Sequence, residues 1–271
     1  MMRALWTAAS GMIAQQTNVD TISNNIANVN TTGYKSEKTE FKSLLYQTLQ
    51  AKTTTKNGDQ KPISAQVGLG TRVASTTSSF ENGALIESDS DTAFAIDGDG
   101  FFAVRGADGE TYYTRNGSFN WSIGVNGTTL CNSDGYPVLD STGNEIVIPN
   151  NISASNVTVS NNGTIAYKDA AGNTVDANTT IGVWQFNNPA GLEKLSDSLL
   201  AVTDASGNAL NEATTNGLTK SKVCQNYLEG SNVQIADEMV NLIVAQRAYE
   251  MNSKAIQAAD SMLGQANQLR S

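Results

Sequence analysis

A chain of 271 residues with 26 acidic and 17 basic side chains has a net charge of −9. It is long enough for one large domain or two modest ones, and its acidic balance argues against nucleic acid as a partner, because phosphates require a basic face. It contains no histidine, which removes the commonest general base and the commonest metal ligand together.

Hydrophobic residues make up 39% of the chain and aromatics only 7%, so a core must rest on Val, Ile and Leu more than on rings. Cys131 and Cys224 lie far apart, nothing local brings them together, and they are expected to be isolated thiols. The opening Met1-Met2-Arg3-Ala4-Leu5-Trp6 briefly imitates a secretory signal. Thr7, Ser10, Gln15 and Gln16 then break the apolar run and make it amphipathic. No stretch approaches the ~18 apolar residues of a membrane span. The expectation is a protein that is soluble, or exported with its N-terminus kept.

The first element is a helix. Leu5, Met12, Val19 and Ile26 recur every seven residues, and Ala8, Gln15, Ile22 and Val29 follow each by three. Between Ala4 and Gly33 the only charged residue is Asp20. The polar positions are amides and hydroxyls, among them Asn24, Asn25 and Asn28. Such a helix is suited to burial on more than one side, with its amides bonded to neighbours. It would run ~40 Å, with Gly33 as its left-handed cap. Phe41, Leu44, Leu45 and Leu49 suggest a further helical stripe. Residues 51–61 turn polar and read as a linker. Residues 66–79, rich in Val and Thr, read as extended.

From about Phe80 to Ala213 the chain is β in character. Short apolar runs such as Phe101-Phe102-Ala103-Val104 and Thr164-Ile165-Ala166-Tyr167 alternate with Asp-Gly and Asn-Gly turn signals. After Gly230 a second helix is predicted, ~55 Å long. Ile235, Leu242, Tyr249, Ile256 and Leu263 recur every seven residues without a miss. Ser231 or Asn232 could cap it, Asp237 and Glu238 sit at the positive end of its dipole, and Glu250 stands four residues before Lys254. Arg247 reads equally as a surface side chain lying along the helix or as a contact to another subunit. The predicted fold is α+β: long N- and C-terminal helices packed as a coiled coil, with an inserted β-rich domain. Its parts are residues 1–50, helical; 51–75, linker; 76–225, β-rich; and 226–271, the second helix.

No catalytic constellation emerges, and no cofactor or metal is expected. Asp97-Gly98-Asp99-Gly100 lacks the ligand spacing and closing Glu of a calcium loop, and reads better as turn aspartates. Gly68-Leu69-Gly70 lacks the rest of a dinucleotide fingerprint.

Ser23-Asn24-Asn25-Ile26-Ala27-Asn28-Val29-Asn30-Thr31-Thr32-Gly33-Tyr34-Lys35 resembles the N-terminal motif of bacterial flagellar rod and hook axial proteins. Leu228-Glu229-Gly230-Ser231-Asn232-Val233 and Gln246-Arg247-Ala248-Tyr249-Glu250-Met251-Asn252-Ser253-Lys254 resemble its C-terminal partner. Val67-Gly68-Leu69-Gly70-Thr71-Arg72-Val73, Ile96-Asp97-Gly98-Asp99-Gly100-Phe101-Phe102 and Tyr113-Thr114-Arg115-Asn116-Gly117 are most similar to the distal-rod branch of that family. The resemblance covers nearly the whole chain. It implies a structural subunit, not an enzyme, that polymerises with copies of itself into a helical drive shaft crossing the periplasm. It also implies export without a cleaved signal peptide. The implied neighbours are proximal rod proteins, the hook protein, periplasmic and outer-membrane ring proteins and the flagellar export apparatus. Nucleic acid and membrane insertion are not implied.

The residues expected at subunit contacts are Leu5, Met12, Val19, Ile22, Asn24, Asn25, Ile26, Asn28, Val29, Ile235, Leu242, Arg247, Tyr249, Ile256 and Leu263. Two alternatives stay open. One is a proximal-rod or hook member of the same family. The other is a β-rich adhesin or ligand-binding module with helical oligomerisation ends, its site near residues 89–109.

Overall fold

A computed structural model describes residues 2–50, 65–124, 127–149, 156–168, 173–196 and 198–269. The polar stretch 51–61 and Asn126 lie outside the described residues. The fold is α+β, with an N-terminal helix α1 (Met2–Ala27), a β-rich middle and a C-terminal helix α2 (Ile235–Gln268). At 1.5 Å per residue the helices are ~39 and ~51 Å long. The chain divides into two compact units. One comprises residues Met1–Ala27, Glu37–Ser78 and Gln234–Ser271; the other comprises Asn28–Ser36 and Ser79–Val233.

In the helical unit α1 packs against α2 on one side and a two-stranded ribbon on another. The ribbon pairs Glu37–Ser43 with Thr71–Ser78 and Tyr46–Gln50 with Ala65–Gly68, all antiparallel. This corrects the expected helical stripe at Phe41, Leu44, Leu45 and Leu49. The segment instead alternates Lys38, Glu40 and Lys42 with Thr39, Phe41 and Ser43, a period of two that suits a strand. A lone ribbon is marginal in water, and α1 supports this one. Ser10 Oγ accepts from Thr71 N, and Thr39 Oγ1 bonds Thr21 Oγ1 at 3.0 Å.

The helix ends are also corrected. α1 stops at Ala27, six residues before Gly33, so Gly33 does not cap it. Gly33 has a φ of +68°, and a Cβ there would come 2.6 Å from the Arg115 backbone. Its role is close approach within the β-rich unit. α2 starts without a side-chain cap. Asn232 is used elsewhere: its Oδ1 accepts from Ser36 N at 2.7 Å, and its Nδ2 donates to the carbonyls of Ser79 and Glu81.

The β-rich unit is built on an antiparallel six-stranded sheet. Its strands, in spatial order, are Glu193–Lys194, Leu199–Ala201, Thr111–Thr114, Phe101–Arg105, Val183–Gln185 and Leu210–Asn211. The unbroken apolar run 101–104 follows from burial on both faces. Phe102 and Val104 join a core with Phe94, Phe119 and Ile146, while Phe101 and Ala103 join another with Tyr113, Trp184 and Phe186. Most glycines of the turn dipeptides, such as Gly98, Gly109 and Gly163, have positive φ. Gly117 does not. A Cβ there would collide with the Phe94 carbonyl oxygen, so that dipeptide marks close packing and not a hairpin. Cys131 and Cys224 are free thiols, and burial pushes both thiol pKa values up.

Candidate assembly surface

The two helices run antiparallel. From Asn25 to Gly11 the residue number falls by 14 on α1, while the contacting residue on α2 rises by 14, from Glu238 to Asn252. At Gly11 a Cβ would come 2.9 Å from Asn252 Nδ2, so the pair approaches closely there. The wholly buried residues of α2 are both small, Ala245 and Ala259.

Asn25 is the most buried polar residue of the helical unit, 1% exposed. Its Oδ1 accepts from Glu37 N at 2.9 Å and its Nδ2 donates to Glu37 O at 2.8 Å, as a neighbouring strand would. The same Nδ2 donates to Glu238 Oε1 at 3.0 Å. One amide therefore ties helix, ribbon and second helix together inside a single chain.

The other contact residues expected from sequence divide into classes. Leu5, Met12, Val19, Ile22, Ile26, Leu242, Ile256 and Leu263 are buried or half-buried within the chain. Ile235 and Tyr249 are more exposed, at 48% and 42%. Asn24 is exposed, and Asn28 and Val29 lie beyond the end of α1, in the β-rich unit. Arg247 is exposed and donates to Glu250 Oε2 at 2.8 Å. Glu250 is thus bonded three residues back, not to Lys254 as expected.

The heptad reading missed a second apolar face of α2. Met239, Val240, Ile243, Val244 and Met251 are between 55% and 66% exposed. Val240, Val244, Arg247 and Met251 follow one another at steps of four, three and four, a single stripe along the helix. α1 shows Met2, Trp6 and Ile13, each at least 66% exposed. The signal was present, since these residues leave α2 apolar on two sides. A hollow of about 410 Å³ between the helices is lined by Gln16, Val19, Gln246, Tyr249 and Glu250.

The β-rich unit holds a buried ion cluster. Glu229, 1% exposed, accepts from Lys35 Nζ at 2.6 Å and from Arg115 Nη1 at 3.2 Å. Gly83 N donates to it as well. Burial is the main reason that Lys35 and Arg115 both have pKa values lowered from their usual ones. Sequence reading had these residues only inside longer motifs. Among the described residues no three acids, cysteines or histidines gather as a metal site would require, and no helix is long and apolar enough to cross a membrane.

Comparison with known proteins covers both ends and the middle. Family models described as "Flagella basal body rod protein", "Flagellar hook protein FlgE/F/G D1 domain" and "Flagellar basal body rod FlgEFG protein C-terminal" match residues 5–35, 95–167 and 225–269. The flagellar basal-body rod protein FlgG of Borreliella burgdorferi is 45% identical over 271 residues, all of this chain and 99% of the relative. That of Agrobacterium fabrum is 42% identical, over 96% of this chain and 97% of the relative. That of Caulobacter vibrioides is 40% identical over the full length of both. The chain belongs to the flagellar basal-body rod protein family. As a member it is a structural rod subunit, and its place is the flagellar basal body. This agrees with the axial reading of its two termini and decides against the adhesin alternative. The family's N- and C-terminal matches fall on the helices and on the Lys35 and Glu229 of the ion cluster.

Proposed function

We propose that this chain is a distal-rod subunit that polymerises with its own copies into a helical tubular drive shaft carrying torque from motor to hook. The observation behind this reading is the bare apolar stripe of α2. A helix that buries small residues on one side and exposes Met239, Val240, Ile243, Val244 and Met251 on the other leaves large apolar side chains unused. Exposed apolar patches of this kind mark interaction sites. Head-to-tail contacts that do not close into a ring generate helical filaments.

In this reading residues 1–50 and 226–271 form the polymerising part and 76–225 the body. The terminal helices pack as a coiled coil in the assembled shaft. The partly exposed Ile235, Tyr249, Arg247 and Asn24 make contacts to other copies, and the hollow beside Tyr249 receives one of their side chains. Asn28 and Val29 are contact residues outside the helices. Leu5, Met12, Val19, Ile22, Asn25, Ile26, Leu242, Ile256 and Leu263 shape the packing from within each copy. Proximal rod proteins, the hook protein, ring proteins and the export apparatus are the proposed neighbours. Val244→Asp tests the reading by electron microscopy of rods and by swimming assays. A folded subunit that forms no rods is the expected result, and normal rods would overturn it.

A further inference from the structure

The sequence sets Asn directly before Gly six times. Asn57 and Asn126 lie outside the described residues; the pairs at 82–83, 116–117, 162–163 and 216–217 all belong to the β-rich unit. An Asn followed by Gly carries a reaction of its own. The backbone nitrogen of the Gly can attack Cγ of the Asn side chain, because no Cβ stands in the way and the Gly backbone turns freely. The attack needs an Asn side chain free to swing round, a Gly N–H not held by an acceptor, and access to water.

Three of the pairs are held. Asn82 Oδ1 accepts from Arg115 Nη1 at 3.3 Å, and Gly83 N donates to the buried Glu229 carboxylate at 3.0 Å. Asn116 Oδ1 accepts from Thr32 Oγ1 at 2.9 Å and from Ser118 N at 3.0 Å, and Gly117 is buried against the Phe94 carbonyl. Asn162 is exposed, but Gly163 is buried and its N donates to Ser160 O at 2.7 Å, which fixes the attacking nitrogen in a turn. The fourth pair differs. Asn216 and Gly217 are both exposed. Among the described residues neither the Asn216 side chain nor Gly217 N has a hydrogen-bond partner. The chain is anchored just before them, where Thr214 N and Thr215 N both donate to Asn211 O. Gly217 itself stands in open space, with a φ of +97° and no atom within 4 Å of the place a Cβ would take.

We propose that Asn216 is a site of self-catalysed deamidation. Gly217 N gives its proton to solvent and bonds to Asn216 Cγ. The bond from Cγ to the side-chain nitrogen breaks, and that nitrogen takes up a proton and leaves as ammonia. A succinimide ring remains. Water opens the ring at either carbonyl, which leaves Asp or isoaspartate at position 216. The balance is one water taken up and one ammonia released, with nothing oxidised or reduced. A neutral amide becomes a carboxylate, and in isoaspartate the main chain runs through Cγ. Both changes fall on the turn between the edge strand Leu210–Asn211 and the strand Lys222–Gln225, outside the two apolar cores. Each copy thereby carries a chemical record of its age on the surface of the β-rich unit. The inference goes beyond the assembly reading and does not rest on it.

Incubating the full-length chain in water labelled with heavy oxygen, at mildly alkaline pH, tests this. Samples are digested at acid pH, and fragment-ion mass spectrometry reads the label, and Asp against isoaspartate, at each Asn-Gly pair. The expected result is labelled product at 216 forming at least about fivefold faster than at 82, 116 and 162, the factor that breaking one hydrogen bond imposes. Unfolding the chain in urea is expected to remove that difference, because all four pairs are then free. Asn216→Gln is expected to abolish the product at 216 and leave the other three pairs unchanged, since the longer side chain closes its ring far more slowly. Product at 216 forming no faster than at 162 in the folded chain would overturn the proposal. Asp without isoaspartate would overturn it too, because water would then have cleaved the amide directly and no ring would have formed.

Discussion

In the β-rich unit Phe94, Phe101, Phe102, Phe119, Leu130 and Ile146 are essentially inaccessible to water, whereas among the described residues the buried apolar ones of the helical unit are Ala8, Ala14, Ile22, Ala245 and Ala259. Burying a Phe or Leu side chain contributes ~1.5–3 kcal/mol, and burying a methyl or methylene group ~0.8 kcal/mol. The first unit can therefore offset its ordering entropy alone, and the second has little to set against ~1–2 kcal/mol per ordered residue. What the helical unit lacks in buried side chains it displays on its surface. The difference teaches that the β-rich unit buries most of its large apolar side chains within the chain, while the helical unit leaves many of its own exposed, as the proposed assembly would require.

The largest expected effect breaks the comparison on the helical side. Val244→Asp places a carboxylate where assembly would bury it, at a cost of several kcal/mol if unpaired. Rods should be lost while near-UV circular dichroism and the melting of the β-rich unit stay as in the parent chain. A fall in that melting temperature would show that the two units are not energetically separate.

On the other side, Glu229→Ala removes the one carboxylate that faces both Lys35 and Arg115. Leaving two buried cations without it should cost about 3–5 kcal/mol. Urea unfolding followed by near-UV circular dichroism measures it. A cost under about 1 kcal/mol would mean that water reaches the cluster.

Asn25→Ala sharpens the contrast with a smaller change. The Glu37 N–H and C=O lose their side-chain partner, and Glu238 loses a donor. About 1–3 kcal/mol is expected. Hydrogen exchange should report it at the Glu37 amide, with no change in the β-rich unit. Unchanged protection at Glu37 would show that the ribbon holds itself.

These tests also mark what could be read in the residues. The strands around 101–104, 112–114 and 164–167 were legible because short apolar runs are set off by Asp-Gly and Asn-Gly turn signals. The helices were legible because Leu5, Met12, Val19 and Ile26, and then Leu242, Tyr249, Ile256 and Leu263, recur every seven residues. The ribbon at 37–43 was not. Its Phe41 and the nearby leucines match a helical spacing by chance, and the partner that makes it a strand lies at 71–78. Asn232 looked like a cap because a local spacing argument cannot see Ser36 and Ser79 across the chain. The ion cluster was hidden for the same reason, since Lys35, Arg115 and Glu229 meet only after the fold forms. The exposed stripe at 239–251 could have been found by asking which apolar residues the heptad leaves over.

The smallest effect concerns pH. Burial lowers the Lys35 pKa from its usual 10.5, the nearby Arg115 lowers it further, and attraction to Glu229 opposes both without cancelling them. Between the lowered value and 10.5 the unfolded chain holds a proton that the folded chain has lost. Stability then rises with pH, because the unfolded state binds more protons. Below that window Lys35 is charged in both states and its contribution is constant. One proton sets an upper limit of ~1.4 kcal/mol per pH unit on the slope. Lys35→Met has no such group, so the stability difference between parent and variant should be flat at neutral pH. It should move in the parent's favour as pH climbs toward 10.5. Urea unfolding at stepped alkaline pH measures that difference. A difference moving the opposite way would mean that attraction to Glu229 outweighs burial, and that Lys35 sits in a wetter place than its 4% exposure implies.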